Sequence, residues 1–421
     1  MLKFLHAADI HLDSPLQKLD HYEGAPVEEL RHATRRALEN MVELAMLEDV
    51  AFVIIAGDLY DGDWKDYNTG LYFVSQMRKL READIQVYII QGNHDAASKI
   101  TKTLRLPDGV RLFATERPET FRMDNDGVAI HGQSFSTPAV KKNLVKNYPP
   151  LLTGYFNIGV LHTCATGREG HEPYAPCTTA DLQSKGYDYW ALGHVHQREV
   201  LLDDPLSIFP GNVQGRHVRE TGPKGCMLVM VDNHGHAAAE FKPLDVIRWF
   251  RLEVDASGIE KAYNVIDMIN VELEGFLEQN EGLPLIARVE VNGACAAHDE
   301  LAADLERWTN ELRSASLYSG GEMIWIEKIK LRSTPALDMQ SVDSASGPLA
   351  ELVHHLNEMR SDPDQLKNLG GVLEELRKKL PKELGQGPEG LLLDDPEWLA
   401  QMLGQVSPML IRRLMGKGGN Q

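Results

Sequence analysis

Two histidines follow the apolar run YWAL in the stretch YWALGHVHQRE, and only one residue separates them. In an extended backbone, residues i and i+2 point to the same side, so His194 and His196 direct two imidazoles together. Packing alone would favour leucine or valine at these positions. If the pair stood alone, two partly solvated loop histidines would be the better interpretation. Imidazole is also the commonest metal ligand, so the alternative is a metal site.

The pair does not stand alone, because polar side chains end the other short apolar runs as well. They carry carboxylate, imidazole or amide groups, and they are Asp9, His11, Asp58, Asp61, Asn93, His94, Asp95 and His162. The carboxyl ends of strands in an α/β sheet meet at one edge, where such proteins build their sites. A nitrogen and oxygen set without thiolate suits Mn²⁺, Fe²⁺ or Zn²⁺. The set is larger than one ion needs, and two ions sharing a carboxylate would use it all.

The elements that must position these residues alternate between strands and helices up to about residue 243. Strands are predicted at residues 2–9, 52–58, 86–95, 157–163 and 189–196. Helical apolar spacing covers residues 26–50 and 70–84. The alternation predicts an α/β domain, residues 1–243, with a largely buried sheet core.

The pattern changes after Pro243 to a compact β-α-β-α-β unit, which predicts a small α+β domain at residues 244–333. Residues 334–347 have the composition of a linker, and residues 348–421 are predicted to be helical. Five leucines step by three and four in this last segment: Leu366, Leu369, Leu373, Leu376 and Leu380. Such a stripe fits a helix that buries one face, either on a partner or back on its own domain.

Bulk composition excludes several classes of protein. The 421 residues are 43% hydrophobic and 25% charged, as in an ordinary globular protein. No apolar run is long enough to cross a bilayer, and the start of the chain lacks a signal-peptide pattern. Four scattered cysteines without a C-x-x-C pair favour a reducing cytoplasm. The net charge of −19 argues against a broad basic surface for nucleic acid, so bound cations would have to attract any phosphate substrate.

Five motifs occur in the order D-x-H, G-D-x-x-D, G-N-H-D, an isolated H, and G-H-x-H, between residues 9 and 196. In this order they resemble the calcineurin-like metallophosphoesterase superfamily. The resemblance implies a metallophosphoesterase β-sandwich flanked by helices and a dinuclear metal centre. Two divalent ions about 3.5–4 Å apart neutralise the oxygens of a phosphate and acidify the water that attacks phosphorus.

The resemblance also assigns roles to matching residues. The first ion would be held by Asp9, His11, Asp58 and His196, and the second by Asp58, Asn93, His162 and His194, with Asp58 bridging. His94 would stabilise the charge of the transition state or protonate the leaving alkoxide. Asp95 would orient the imidazole of His94.

Other segments narrow the resemblance. The start LKFLHAADIHLDSPL, the loop FPGNVQGRHVRETGPKG and the second domain resemble the nuclease subunit of bacterial SbcCD-type complexes, and above all the YhaO-like branch of DNA repair exonucleases. This implies a Mn²⁺-dependent DNA exonuclease or endonuclease that acts in DNA repair and forms a homodimer. The second domain would be a cap that helps to position DNA, and the C-terminal helices would dock on an SMC-like ABC ATPase. The chain has no Walker-type motif, so ATP hydrolysis would come from that other subunit.

Several alternatives stay open at this point. A phosphodiesterase for small nucleotides would use the same metal set in a closed pocket, and a non-catalytic scaffold is disfavoured because the ligand set is complete. Asp61, where many archaeal and eukaryotic relatives have a histidine, either supports the site from behind the ligands or is a solvated loop carboxylate. Trp64 and Tyr67 either stack on a base or sugar of the substrate or pack their own loop. His6 and His131 are interpreted as packed core histidines.

Overall fold

The structure, a computed structural model, describes residues 1–14, 27–61, 67–97, 105–165, 174–280, 282–320, 323–336, 348–380, 392–393 and 395–417. The chain divides into two compact units. The first contains Met1–Arg251 with Gln279–Ala287 and Glu322–Glu327, and the second contains Leu252–Glu278, Arg288–Gly321 and Lys328–Gln421.

One six-stranded sheet of the first unit is mostly parallel. Its strands are β1 (Leu2–Ala7), β2 (Phe52–Ala56), β3 (Gln86–Ile90), β4 (Val110–Leu112), β11 (Gly225–Val231) and β12 (Ala237–Pro243). Their order is β12–β11–β1–β2–β3–β4. Strands β1 to β4 run parallel, β11 is antiparallel to β1, and β12 is antiparallel to β11.

A second six-stranded sheet has a parallel centre and antiparallel edges. Its strands are β5 (Glu119–Met123), β6 (Val128–Gly132), β7 (Phe156–His162), β8 (Tyr189–Gly193), β9 (Glu199–Asp203) and β10 (Leu206–Phe209). Their order is β5–β6–β7–β8–β10–β9. Strands β6, β7, β8 and β10 run parallel, and the edge strands β5 and β9 run antiparallel to their neighbours.

The two sheets form a sandwich, because side chains from both fill one buried cluster. Phe4 and Phe52 come from the first sheet, and Ile158 and Tyr189 come from the second. The ring of Phe4 stacks on Phe52 with centroids 4.8 Å apart and meets Tyr189 edge-on at 5.4 Å. The central strands β2 and β8 are buried at every residue, so both of their faces are covered, which explains their nearly continuous apolar runs.

Helices cover the outer face of the first sheet. The helices of this unit are α1 (Val27–Leu47), α2 (Tyr67–Glu82), α3 (Asn93–Ala97) and α4 (Thr179–Gln183), with a 3₁₀ turn at Val145–Asn147. Met41 of α1 and Phe73 and Met77 of α2 pack with Val53 and Ile55 of β2. The predicted sandwich flanked by helices is confirmed. The predicted strand 86–95 is wrong at its end, because β3 stops at Ile90 and the G-N-H-D motif starts α3.

The elements after β12 follow the predicted β-α-β-α-β pattern. They are β13 (Arg248–Asp255), α5 (Ala262–Gln279), β14 (Leu285–Asn292), β15 (Ala294–Cys295), α6 (His298–Ala303), α7 (Leu305–Gly320), β16 (Ile324–Leu331) and β17 (Thr334–Pro335). Strands β13, β14 and β16 form a three-stranded sheet in that order, and β15 pairs in parallel with β17.

The unit boundary lies further along the chain than Pro243, where the sequence pattern changes. Val246, Ile247 and Trp249 pack in one buried cluster with Leu30 and Val218 of the first unit. The predicted linker also begins later than residue 334, because Thr334–Pro335 forms β17. Residues 337–347 lie outside the described residues.

Helices form the described part of the C-terminal segment. They are α8 (Pro348–Ser361), α9 (Pro363–Val372), α10 (Glu374–Lys379) and α11 (Pro396–Lys417). The carboxylate of Asp362 caps α9, and Pro363 occupies its first turn. Helix α9 packs on α8 and α11, and Leu366 of the leucine stripe is buried there, whereas Leu376 on α10 is 49% exposed. No described helix is long and apolar enough to span a membrane.

Candidate metal centre

The predicted ligands converge at the carboxyl ends of strands from both sheets. Asp9 and Asp58 follow β1 and β2, Asn93 begins the helix after β3, His162 ends β7 and His194 follows β8. Strands β1 to β3 are parallel to one another, and β7 is parallel to β8. The ends of both sets meet at one edge of the sandwich, since Asp58 Oδ2 lies 3.4 Å from His162 Nε2.

Among the described residues the ligand atoms form three overlapping groups, and Asp58 belongs to two of them. The atoms lie within 4.8 Å of one another in the first group, Asp9, His11 and His196, in the second group, Asp58, His162 and His194, and in a third group, His11, Asp58 and His94. Asp58 Oδ2 lies 3.4 Å from His162 Nε2 and 3.9 Å from His11 Nε2. Asp58 therefore lies between the groups, at the place where a bridging ligand would have to be.

The chemistry of the first group fits a cation. His11 Nε2 and His196 Nε2 lie 3.2 Å apart, and His196 Nε2 lies 3.9 Å from Asp9 Oδ1. If both imidazoles are neutral, at most one proton lies between the two nitrogens. The ionised carboxylate of Asp9 has no proton to donate. Lone pairs that converge without a shared donor are what a divalent ion binds.

The second group is held in the same way. Nδ1 of His162 lies 2.9 Å from the carbonyl oxygen of Ala56, to which it donates, so Nε2 faces the other ligands. That Nε2 lies 3.0 Å from Asn93 Oδ1. Burial lowers the pKa of His162, but the charge and hydrogen bond of Asp58 outweigh this and raise it to about 9. The position therefore attracts positive charge, as a proton or as a metal ion.

Burial is the largest single influence on the pKa values of Asp9, His11 and Asp58, but at Asp58 neighbouring groups outweigh it. It raises the pKa of Asp9 to about 6, although His196 and His162 oppose the shift. Burial and the nearby Arg216 lower the pKa of His11 to about 3, so this imidazole is neutral and able to coordinate. Burial also raises the pKa of Asp58, yet His162 more than compensates and holds it well below its usual range.

The backbone at the ligands has an unusual conformation. Asp9, His11, Asp58 and His194 have φ values of 51°, 44°, 51° and 99°, a region that non-glycine residues rarely adopt. Hydrogen bonds across the strand ends hold it, since His11 N donates to Asp58 O at 3.0 Å and His194 N donates to Asp9 Oδ2 at 3.0 Å. Strained residues of this kind cluster at functional sites.

Glycines let the ligands approach the backbone closely. A side chain at Gly57 would meet the ring of His162, and one at Gly92 would meet both Asp58 and His162. Space therefore requires glycine in both G-D-x-x-D and G-N-H-D, and at Gly57 the φ of 95° requires it as well.

His94 lies at the exposed side of the centre, with 39% of its side chain accessible. Its Nδ1 is 2.7 Å from Asp61 Oδ1, so Asp61 makes the orienting contact that the motif assigns to Asp95. Asp95 instead accepts hydrogen bonds from the backbone N–H groups of Leu59, Tyr60 and Gly92 at 2.9–3.1 Å. The difference arises because Asp95 points back into the turn after β2, which it stabilises.

Asp61 supports the site and is not a solvated loop carboxylate. Its side chain is 20% exposed, it accepts a hydrogen bond from Ser14, and its Oδ2 lies 3.7 Å from Arg216 Nη1. Burial raises the pKa of Asp61, but its interactions with His11, His94 and Ser14 outweigh burial and hold this pKa well below the usual range.

Two residues near the centre were not among the predicted site residues, namely Arg216 and Glu220. Both lie between β10 and β11, in the glycine-rich loop of residues 210–224. Glu220 Oε1 lies 2.7 Å from His196 Nδ1, and Arg216 Nη2 lies 2.9 Å from the same oxygen. Their contacts depend on the path of a long loop, for which the sequence contains no periodic signal.

The other residues singled out in the sequence have different outcomes. His6 is buried and lies within hydrogen-bond distance of Tyr189 and the carbonyl of Leu192, which confirms a packed core histidine. His131, between Thr120 and Asn157, has the same character. Tyr67 begins α2 and is 63% exposed. Trp64 lies outside the described residues.

The sequence matches the family described as calcineurin-like phosphoesterase over residues 2–198, and the middle domain of metallophosphoesterase YhaO over residues 249–334. It is 35% identical to the uncharacterized metallophosphoesterase YhaO of Bacillus subtilis (strain 168) over 297 residues, which cover 69% of this chain and 72% of that protein. The chain belongs to the calcineurin-like phosphoesterases, in the group that contains YhaO. It is therefore a metal-dependent phosphoesterase.

Two further similarities are more distant. The chain is 26% identical over 286 residues to the DNA double-strand break repair protein Mre11 of Methanopyrus kandleri, covering 61% of this chain and 60% of that one. A crystal structure of a dimetal phosphatase from Danio rerio aligns with 57% of this chain and 99% of its own at 10% identity, with a TM-score of 0.35, which is too low to bear on fold or function.

Proposed function

We propose that this chain is a DNA nuclease, most simply an exonuclease, that hydrolyses phosphodiester bonds at a dinuclear Mn²⁺ centre. In this proposal the first ion is held by Asp9, His11, Asp58 and His196, and the second by Asp58, Asn93, His162 and His194. The observation that carries it is the position of Asp58 between two groups of converging ligand atoms.

The donor set supports Mn²⁺, since hard carboxylates mixed with imidazoles and an amide oxygen suit this ion better than a soft metal. Two such ions, when bound, would supply Lewis acidity toward phosphate oxygens and toward the attacking water. The ligand residues contribute fixed orientation, because buried side chains at strained backbone positions have few alternative conformations.

His94 is the proposed acid for the leaving oxygen. Burial lowers its pKa, but the hydrogen bond to Asp61 and the charges of Asp58 and Asp61 outweigh burial and raise it. With Nδ1 engaged by Asp61, the proton on Nε2 remains to be donated at the exposed side of the site. Asp61 is a positioning residue in this scheme, and Asp95 stabilises the turn next to it.

DNA is proposed as the substrate because the Methanopyrus relative is named as a double-strand break repair protein. The same name supports a role in DNA repair. The proposal also includes a homodimer and a cytoplasmic location. The four cysteines are free, as expected in a reducing compartment. Tyr67, exposed at the start of α2, is a candidate to stack on a base.

An SMC-like ABC ATPase is the proposed protein partner, bound through the C-terminal helices. Val406, Leu410 and Leu414 recur every four residues on α11 and are 40–52% exposed. An apolar stripe with this spacing suits a helix of a partner coiled coil. In the nuclease unit, by contrast, the apolar faces of α1 and α2 are buried on the sheet.

The test is cleavage of end-labelled linear duplex and single-stranded DNA in Mn²⁺, with bis-p-nitrophenyl phosphate as a small diester. Asp58→Asn should abolish cleavage of both substrates, and His94→Ala should lower kcat on DNA by about 10²–10⁴-fold. His234→Ala, an exposed histidine in the turn between β11 and β12, is the matched control and should leave kcat unchanged.

If the protein hydrolyses the small diester but leaves DNA uncleaved even when the ATPase is added, that result would contradict the nuclease and favour a phosphodiesterase for small nucleotides. Absence of hydrolysis of either substrate in Mn²⁺ with the ATPase present would contradict the proposed chemistry altogether.

A further inference from the structure

Glu220 is a buried carboxylate beside the metal centre, with only 4% of its side chain exposed. All its hydrogen-bond partners at 3.0 Å or less are nitrogens. Oε1 lies 2.7 Å from His196 Nδ1 and accepts a hydrogen bond from Arg216 Nη2 at 2.9 Å. Oε2 accepts hydrogen bonds from the backbone N–H of Arg216 at 2.8 Å and from Asn212 Nδ2 at 2.9 Å. A carboxylate with four donors has a fixed orientation.

This arrangement decides which nitrogen of His196 carries the proton. Arg216 and Asn212 supply only donors, so Glu220 must accept at both oxygens, and His196 has to donate from Nδ1. Nε2 then keeps its lone pair, and it lies 3.2 Å from His11 Nε2 and 3.9 Å from Asp9 Oδ1. The 3.3 Å approach of Arg216 Nη2 to His196 Nδ1 follows from both donors sharing one oxygen.

We propose that Glu220 is a positioning residue for the first metal ion, because it fixes the tautomer and ring orientation of His196 and so directs Nε2 to the ion. This rests on the proposed function in one respect, namely that His196 is a ligand. Histidine ligands commonly donate their second nitrogen to a carboxylate, and such partners affect metal affinity strongly.

His196 needs such a partner more than His11 and His162 do. Its side chain is 28% exposed, whereas those of His11 and His162 are fully buried. His162 is oriented by a backbone carbonyl, and the surrounding side chains fix the ring of a buried histidine. At His196 the backbone is held by Lys224, which donates to its carbonyl at 3.0 Å, and Glu220 holds the ring.

Arg216 connects this contact to the opposite side of the centre. Its Nη1 lies 3.4 Å from Ser14 Oγ and 3.7 Å from Asp61 Oδ2, the carboxylate that holds His94. One guanidinium therefore supports both the carboxylate behind the first ion and the carboxylate behind the proposed acid.

The test measures Mn²⁺ binding rather than turnover. Equilibrium dialysis of the full chain gives the number of ions and their affinities, and electron paramagnetic resonance distinguishes a spin-coupled pair from a single Mn²⁺. Wild type should bind two coupled ions. Glu220→Gln should lower the affinity for one ion by about 10–100-fold. The ion that remains bound should then give the signal of a single, uncoupled Mn²⁺.

Asp245→Asn is the matched control, because Asp245 is also a buried carboxylate, paired with Arg248 at 2.8 Å. It should retain two coupled ions, which separates the effect of Glu220 from the loss of any buried ion pair. Two ions of unchanged affinity in a folded Glu220→Gln protein would overturn the inference and leave the proposed function intact. Fewer than two ions in wild type at saturating Mn²⁺ would instead overturn the proposed function.

A second measurement uses the wild-type protein alone, so it does not depend on the folding of a variant. In wild-type protein loaded with diamagnetic Zn²⁺, histidine ¹⁵N spectra report the protonated nitrogen of each ring. His196 should carry its proton on Nδ1. A proton on Nε2 would rule out the positioning role.

Discussion

His6 illustrates how a single buried side chain can set the acid stability of the protein without belonging to the site. Its Nδ1 lies 2.9 Å from the hydroxyl of Tyr189 and its Nε2 3.1 Å from the carbonyl of Leu192. Burial lowers its pKa to about 3, although the hydrogen bond to Leu192 opposes the shift. The imidazole is therefore neutral in the folded protein, whereas an unfolded chain protonates it near pH 6.5.

This difference makes stability fall on the acid side. Since the unfolded state binds a proton that the folded state excludes, the contribution of His6 is fully present above about pH 6.5 and is lost as the pH falls toward 3. The free energy of unfolding of wild type should drop more steeply than that of His6→Gln, by up to about 1.4 kcal/mol per pH unit. Urea titrations of both proteins between pH 7.5 and 4.5 would measure it, and parallel curves would contradict the prediction.

At the scale of elements, the turns that leave the strands carry the site. Gly57 has φ 95° after β2, and a Cβ there would collide with His162. Gly154 has a similar φ of 85°, but a Cβ there would meet nothing within 4 Å. The two glycines therefore separate the effect of backbone strain from the effect of space.

Alanine at each position should give different results. Gly154→Ala should cost about 1–2 kcal/mol of stability, through left-handed strain alone, and should keep both metal ions. Gly57→Ala adds a collision with a ligand, worth about 1–3 kcal/mol more, and should lose the second ion. Denaturant titration and metal analysis of both variants provide the check. Equal destabilisation with intact metal binding would show that the space beside His162 is not limiting.

Much of this arrangement could be predicted from the sequence, because its signals are local. Short apolar runs predicted the strands, and the polar residues after them predicted a shared edge, where the structure brings Asp58, His162 and His194 together. Their roles as ligands remain a prediction. Asp61 and Glu220 were harder to place, since their partners lie 33 and 24 residues away along the chain. Contacts of that kind depend on how loops fold back, which periodicity does not encode.

The prediction also failed where a local pattern admitted two geometries. The residues G-N-H-D follow the apolar run of β3 directly, yet Asn93 begins a short helix, in which Asp95 accepts hydrogen bonds from the backbone N–H groups of Gly92, Leu59 and Tyr60. In the same way, Leu366 and Leu376 belong to one stripe in sequence but to separate helices in the structure.

At the scale of the whole molecule, the charge of −19 should make DNA binding depend on metal ions. Mn²⁺ ions would supply the positive charge near the reaction that the protein surface withholds. Removing them with EDTA should abolish cleavage and lower the affinity for DNA by about tenfold or more, measured by fluorescence anisotropy of labelled duplex at fixed ionic strength. Adding Mn²⁺ back should restore both cleavage and DNA affinity in wild type, but should restore neither in Asp58→Asn. DNA affinity that is equal with and without metal would indicate a basic binding surface elsewhere.

The positive φ values at Asp9, His11, Asp58 and His194 have a consequence for how this chain tolerates change. Glycine adopts such backbone geometry without the penalty that other residues incur, so replacing one of these side chains by glycine relieves strain that alanine would retain. Directed evolution toward heat resistance alone would therefore accumulate glycines at these codons and lose turnover, whereas screening for turnover would restore the original residues.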